Sequence, residues 1–515
     1  MSNPNKLSGP SYITLDDPAD PVEILPGDDS PRKTLGQVLL MSIAFLGIQF
    51  GWSLQMSNMS SIYQILGADE SDIPILWLGA PLTGLFVQPI IGFMSDRINP
   101  KYGRRKPFIL GGTLTAVPVL ALMPFARTIP TAAALLWIED AAINASMEPM
   151  RALVADVLPV SQRTFGFAMQ TTFTGIGAVL ASACPWVLRA LEVQGGEGVG
   201  NAVVVSFLIG AFVYLVCVLI TVCTTHEPSQ TIQLTAADVG EDVPEAEAEP
   251  DVDQEMTQED EMLSPPPEPQ SFMDGVRELG HSVTHLPKNF ARLGIVHIVA
   301  WLAQFAYNLY WPPFVGQHVF GGNPSAPEGS EEYHLYLEGV AYAGLMLAVY
   351  NAVTTVMSLF MTPVIKMFGR KLTYSACLLC GTVGTGLLMF VPGDFATAKA
   401  MLWISSMLMG VLWSGMLTVP YSLLADIILA SEQADQLGLY VGLFNICITT
   451  PQIVASLTYG LIVSNVFDNN TQYAVSSASV FYCLAALMVG PVVVDPISNR
   501  RGGDVYDGQI LDVQC

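Results

Sequence analysis

The sequence predicts an all-α membrane protein: twelve transmembrane helices in two six-helix bundles. Three observations predict it. The 515 residues are 51% hydrophobic and only 13% charged, with a mean hydropathy of +0.46, whereas soluble domains carry about 25% charged residues. Twelve apolar stretches are each long enough to cross a hydrocarbon core of ~30 Å. Placing both termini in the cytoplasm puts 18 of the 21 Lys and Arg residues inside and leaves only Arg127, Arg189 and Lys399 outside, as the positive-inside rule requires.

Taken in order, residues 1–33 form a cytoplasmic tail rich in Pro and Asp, without the apolar core of a cleavable signal. The N-terminal bundle covers 34–226, with spans near 35–57, 73–94, 107–126, 131–155, 164–188 and 202–224. The second span carries no acid between Ile73 and Met94. Residues 227–290 read as an acidic, disordered cytoplasmic linker. Within 238–261, twelve residues are Asp or Glu and none is Lys or Arg, and a Pro-rich run follows from Ser264 to Pro269. The C-terminal bundle covers 291–496, with spans near 293–314, 339–365, 372–391, 400–428, 437–464 and 475–494. Residues 497–515 form a second cytoplasmic tail.

Much of the net charge of −24 lies in the linker. Its sign excludes a nucleic-acid partner. Seven of the eight cysteines lie in apolar spans, and Cys377-x-x-Cys380 has neither a second pair nor a nearby His, so buried filler is expected rather than a metal or redox centre. No Gly-x-x-x-x-Gly-Lys loop is present, so ATP hydrolysis is not expected. No cofactor and no metal are implied. Asn469-Asn470-Thr471 fits a glycosylation sequon on an outside loop.

The fourth span is the most informative. It carries Glu139, Asp140, Asn144, Glu148 and Arg151. Each ionisable group at that depth costs roughly 2.5–3.5 kcal/mol on insertion scales. Asp140 and Arg151 are eleven positions apart, so both lie on one helix face, about 16 Å apart along the axis. Asn144 and Met147 share that stripe; Glu139 lies 100° round from it. A polar stripe with a protonatable group and a cation is the equipment of ion-coupled solute transport. Weak echoes cross the linker. Tyr102-Gly103-Arg104-Arg105-Lys106 resembles Phe368-Gly369-Arg370-Lys371, and Pro149 to Asp156 resembles Pro420 to Asp426. Parallel halves favour two bundles rocking about a central site.

Gly92-Phe93-Met94-Ser95-Asp96-Arg97, continuing to Gly103-Arg104-Arg105-Lys106, resembles the signature loop of the major facilitator superfamily. Gly47 to Gln55, Trp77-Leu78, Gln88 to Gly92, Arg104 to Ile109, Asp140 to Asp156, Phe314 to Gln317, Val419-Pro420-Tyr421 and Gly442 to Gln452 narrow the resemblance. They are similar to the sucrose/proton symporters of plants and their animal and bacterial relatives. The resemblance implies the major facilitator fold and proton-coupled import of a glucoside, sucrose or a maltose-like disaccharide. By position, Asp140 would accept the proton, Arg151 would be its charge partner or a sugar ligand, and Glu139 a second titrating group. Plant relatives carry acidic and basic residues near the end of span seven. Here Trp311, Pro312, Pro313, Gln317 and His318 stand there, so plant specificity does not carry over.

Sugar hydroxyls need groups that both donate and accept, and ring faces need flat apolar surfaces. Gln55, Asn144, Gln170, Asn308, Asn351, Asn445 and Gln452 could supply the first. Trp52, Trp137, Trp311 and Tyr421 could supply the second. Asp96, Arg97, Arg104, Arg105, Glu148 and Asp156 would form a cytoplasmic gate. A sodium symporter, an uncoupled facilitator and a non-transporting sugar sensor are the alternatives. An enzyme is not expected, because Glu139 and Asp140 cannot face one substrate. The partners expected are a sugar, a proton and the lipid bilayer, with a monomer as the working unit in a bacterial inner membrane.

Overall fold

The computed structural model describes residues 32–97, 103–193, 200–227, 286–429 and 437–494. Helix α1 covers Leu35–Ile65, with a break at Ile43. Thr34 and Gln37 cap it reciprocally. After a single turn, Ile73–Leu76, α2 runs over Gly79–Arg97. Helices α3 (Lys106–Leu122), α4 (Ile129–Val157), α5 (Val160–Ala190) and α6 (Asn201–Thr224) complete the first half. The second half contains α7 (Lys288–Phe314), α8 (Glu331–Phe368), α9 (Arg370–Leu387), α10 (Phe395–Leu429), α11 (Leu437–Asn465) and α12 (Thr471–Val492).

Eleven of these helices are long and apolar enough to cross a membrane. The remaining one, α4, has the length, 29 residues, but its polar load lowers its hydropathy. Several helices outrun the apolar stretches that announced them. α1 continues past 57 because Ser57, Asn58, Ser60, Ser61 and Gln64 are buried rather than solvated. Ser57 Oγ and Asn58 Nδ2 return hydrogen bonds to Ser53 O and Leu54 O at 2.7 and 2.8 Å, which removes the cost of burying them. α8 begins at Glu331, capped by Ser330, whose hydroxyl accepts from Tyr333 N. Acids in its first turn complement the helix dipole.

Within the first half, α1 packs on α5 and α6, and α4 on α2 and α3. Within the second, α12 packs on α7 and α9, and α10 on α8 and α9. The halves meet through α5 against α8, α2 against α11, and α1 against α7 and α8. Exchanging the halves exchanges α5–α8 with α11–α2. The sequence echoes are therefore matched by a repeat in the packing.

The halves are latched at the end that bears the 66–72, 315–330 and 466–470 connections. Tyr336 Oη donates to Gln64 Oε1 at 2.6 Å, Gln317 Nε2 to Glu70 Oε1 at 2.9 Å, and Tyr310 Oη to Glu70 O at 2.7 Å. Glycines permit the approach: a Cβ on Gly344 would lie 2.6 Å from Ser182 O, and one on Gly460 would overlap Ser71 O. The structure is therefore closed at this end.

Candidate functional site

The site is built around α4. Its Thr128 cap accepts from Thr131 N, and its length carries one face from the closed end to the opposite end. Asp140 is 1% exposed. Its Oδ1 accepts from Gln55 Nε2 of α1 at 2.8 Å, and its Oδ2 has no partner among the described residues. Asn144, one turn on, donates to Asp140 O at 2.8 Å and to Thr83 Oγ1 of α2 at 3.2 Å. Its Oδ1 accepts from Gln88 Nε2 at 2.6 Å. Asn144 thus ties α2 to α4 beside the acid. Glu139 is fully buried, with both carboxyl oxygens unpartnered among the described residues.

Arg151 does not pair with Asp140. Its guanidinium bonds Glu148 Oε1 at 2.7 Å and Met147 Sδ at 3.6 Å. The eleven positions between them hold it about 16 Å away along the axis. The resemblance implies one of two roles for Arg151, charge partner or sugar ligand, and the geometry shows no bond to the acid. Glu148 likewise bonds Arg151 rather than the arginines of the loop. Arg151 lies within electrostatic reach of Tyr421 on α10, in the other half.

The other candidates divide. Gln55 belongs to the Asp140 site. Trp52 Nε1 and Gln170 Nε2 are buried donors without partners among the described residues. Asn351 donates to Ser182 Oγ across the halves at 3.4 Å, and Asn308 accepts from Gln304 at 2.8 Å. Asn445 and Gln452 are half-buried on α11. Tyr421 packs edge-on to Phe444, beside His297. Trp311 is wholly buried, with Nε1 donating to Ala343 O at 3.2 Å. Trp137 likewise donates to Leu76 O at 2.9 Å. Gln317 serves the latch, bonding Glu70 and Thr471. His297 is caged, accepting from Trp301 at 3.0 Å and stacked on Phe444.

At the opposite end, Arg104 and Arg105 pair with Asp156 at 2.7 and 2.9 Å, and Arg105 also reaches Ser95 Oγ at 2.7 Å. The side chains of Asp96 and Arg97 lie outside the described residues. In the second half, Arg370 pairs with Asp426 and reaches Ser422 O at 3.1 Å, the same arrangement from the echoed motifs. Glu227 had not been singled out. Its carboxylate accepts from the backbone N–H groups of Arg104, Arg105 and Lys106 at 2.6, 3.1 and 2.9 Å. It caps α3, whose N-terminal N–H groups favour an anion.

A latched end, an unpaired buried acid and two repeated halves that meet along their helices fit a membrane transporter. The chain belongs to the Major Facilitator Superfamily, whose family profile matches residues 41–448. It is a multi-pass integral membrane transporter and not an enzyme. It is 24% identical to the sucrose transport protein SUC3 of Arabidopsis thaliana, over 88% of this chain and 87% of that one. It is 26% identical to the sucrose transport protein SUT4 of Oryza sativa subsp. indica, over 84% of each. It is 24% identical to a membrane-associated transporter protein of Mus musculus, over 77% of this chain and 80% of that one. These plant and mammalian relatives lend the expected bacterial setting no support. The nucleoside transporter NupG shares the fold with TM-score 0.62 at 13% identity, over 89% of this chain and 99% of that one. A D-xylose-proton symporter does so with TM-score 0.56 at 15% identity, over 90% and 99%.

Proposed function

We propose that the chain is a proton-coupled symporter that imports a glucoside, sucrose or a maltose-like disaccharide, by alternating access. The observation that carries this reading is the carboxyl of Asp140. It is buried mid-helix, with one oxygen bonded to an amide, the other unpartnered, and no Lys or Arg among the described residues bonded to it. Burying an ion without a countercharge is costly, and a proton removes the cost. The sucrose transport proteins among the relatives support the substrate class.

Asp140 takes a proton while the site faces outward and gives it up when the site faces inward and water reaches Oδ2. Arg151 and Tyr421, on opposite halves, grip the sugar: the guanidinium donates to hydroxyls and the phenol ring offers a flat face. Closing on the sugar brings the halves together, so proton and sugar move in one transition. The Lys and Arg distribution favours both termini in the cytoplasm, with the latched end outside. A single chain supplies both halves and works as a monomer.

The test is uptake of radiolabelled sucrose and maltose into proteoliposomes under an inward proton gradient. Uphill uptake should collapse with a protonophore and with Asp140→Asn. Equal, gradient-independent equilibration by both variants would leave an uncoupled facilitator. Uptake driven by sodium alone would replace the ion. Saturable binding without uptake would make the chain a sensor.

A further inference from the structure

We propose that Glu139 is a second proton-carrying carboxyl, so that two protons cross with each sugar. This deepens the symport reading and rests on it. Buried polar groups in native proteins are almost always hydrogen-bonded, and an acid that serves packing alone is anchored by such bonds. Glu139 is fully buried, yet neither of its oxygens has a partner among the described residues.

The geometry joins it to Asp140. The two acids are consecutive on α4 and close enough to interact electrostatically. Although their Cα–Cβ vectors diverge, α1 meets both. A Cβ on Gly51 would lie 3.7 Å from Glu139 Oε1, and Gln55, one turn further along α1, donates to Asp140 Oδ1. A movement of α1 that uncovers one carboxyl uncovers the other.

Behind Glu139 stands a hydroxyl pair. Ser146 Oγ lies 3.0 Å from Ile143 O and 2.8 Å from Tyr214 Oη, either hydroxyl able to donate in the second contact. The Tyr214 oxygen keeps lone pairs able to accept. Its ring lies 3.5 Å from the same point above Gly51 that is 3.7 Å from Glu139 Oε1. An ionised Glu139 would meet a second acid on the same helix. The titratable groups around it are Asp140 from α4 and Tyr214 from α6. Gly51 of α1 and Leu120 of α3, beside it, bring no charge, and Tyr63 of α1 lies within electrostatic reach of Asp140. In each cycle one O–H bond forms on each carboxyl from the outer side and both break toward the inner side. Two positive charges therefore accompany each neutral sugar.

The test uses the full-length chain in proteoliposomes with sucrose. The proton-motive force that just balances an imposed sucrose gradient gives the proton-to-sugar ratio. We expect two for wild type, one for Glu139→Gln with uptake retained, and two again for Glu139→Asp. A wild-type ratio of one overturns the proposal. Infrared difference spectra across a pH titration provide a readout that needs no sugar. A titrating carboxyl band should vanish in Glu139→Gln and a separate one in Asp140→Asn. If every titrating carboxyl band survives Glu139→Gln, the proposal is overturned. If sucrose is not accumulated at all, the symport reading fails, and the infrared bands alone decide whether Glu139 exchanges a proton.

Discussion

Asp140 and Arg151 share one face of one helix, yet they act at different depths. The acid sits among α1 and α2 amides, bonded directly to Gln55 and flanked by the Asn144–Gln88 pair. The cation lies about three turns away, within electrostatic reach of Tyr421. Its pair with Glu148 is partly exposed, and such pairs contribute about 0–1 kcal/mol, so it is readily surrendered to a sugar hydroxyl. Replacing Arg151 by Gln should therefore leave thermal stability nearly unchanged. It should raise the KM for sugar about 10- to 100-fold, the range set by losing a charged hydrogen bond of about 1.5–3 kcal/mol. Uptake kinetics at a fixed proton gradient would check this; an unchanged KM would remove Arg151 from the sugar site. At this scale the sequence showed ionisable and amide side chains at membrane depth, and the i,i+3 spacing of Glu148 and Arg151 was in plain view. It could not show Gln88, Tyr214 or Glu227, whose roles depend on neighbours from other helices. Nor could it show the burial of Trp311, because an aromatic near a span end looks alike whether it faces a cavity or the core.

The helices themselves were legible from apolar length, and their number was recovered even where α4 falls short in hydropathy. Their ends were less legible. Buried serines and amides extend α1 to Ile65, and capped, charged first turns extend α8 to Glu331. A hydropathy pattern sees only the apolar core of such helices. The contact of α5 with α8 depends on Gly344 lying against Ser182 O, where a larger side chain has no room. Gly344→Leu is expected to keep the latched end apart. Sugar binding should persist while uptake falls at least ten-fold, and spin-label distances between the 66–72 connection and Tyr336 should lengthen. Unchanged distances would show that α5 and α8 are not what closes this end.

For the whole molecule, the echoes in sequence became echoes in bonding: Arg104 and Arg105 with Asp156 in one half, Arg370 with Asp426 in the other. Two differences between the ends follow from the chemistry of their bonds. The networks of arginine and aspartate are ionic. The latch joins Gln64 to Tyr336, Gln317 to Thr471, and Glu70 to an amide and a phenol, with no ion pair among these bonds. Electrolyte screens charges over about 10 Å at 0.1 M and about 3 Å at 1 M, but it leaves neutral hydrogen bonds nearly untouched. In the proposed orientation, the latch that confronts an uncontrolled medium rests mostly on bonds between uncharged groups, the Glu70 carboxylate and the Arg189 guanidinium on His334 O being its charged members, so brine loosens it less than the ionic networks. The charged bonds face a cytoplasm whose ion content the cell regulates. Raising external salt to 1 M should leave the latch distances nearly unchanged, while the same salt inside vesicles should alter the rate at which the carrier turns over.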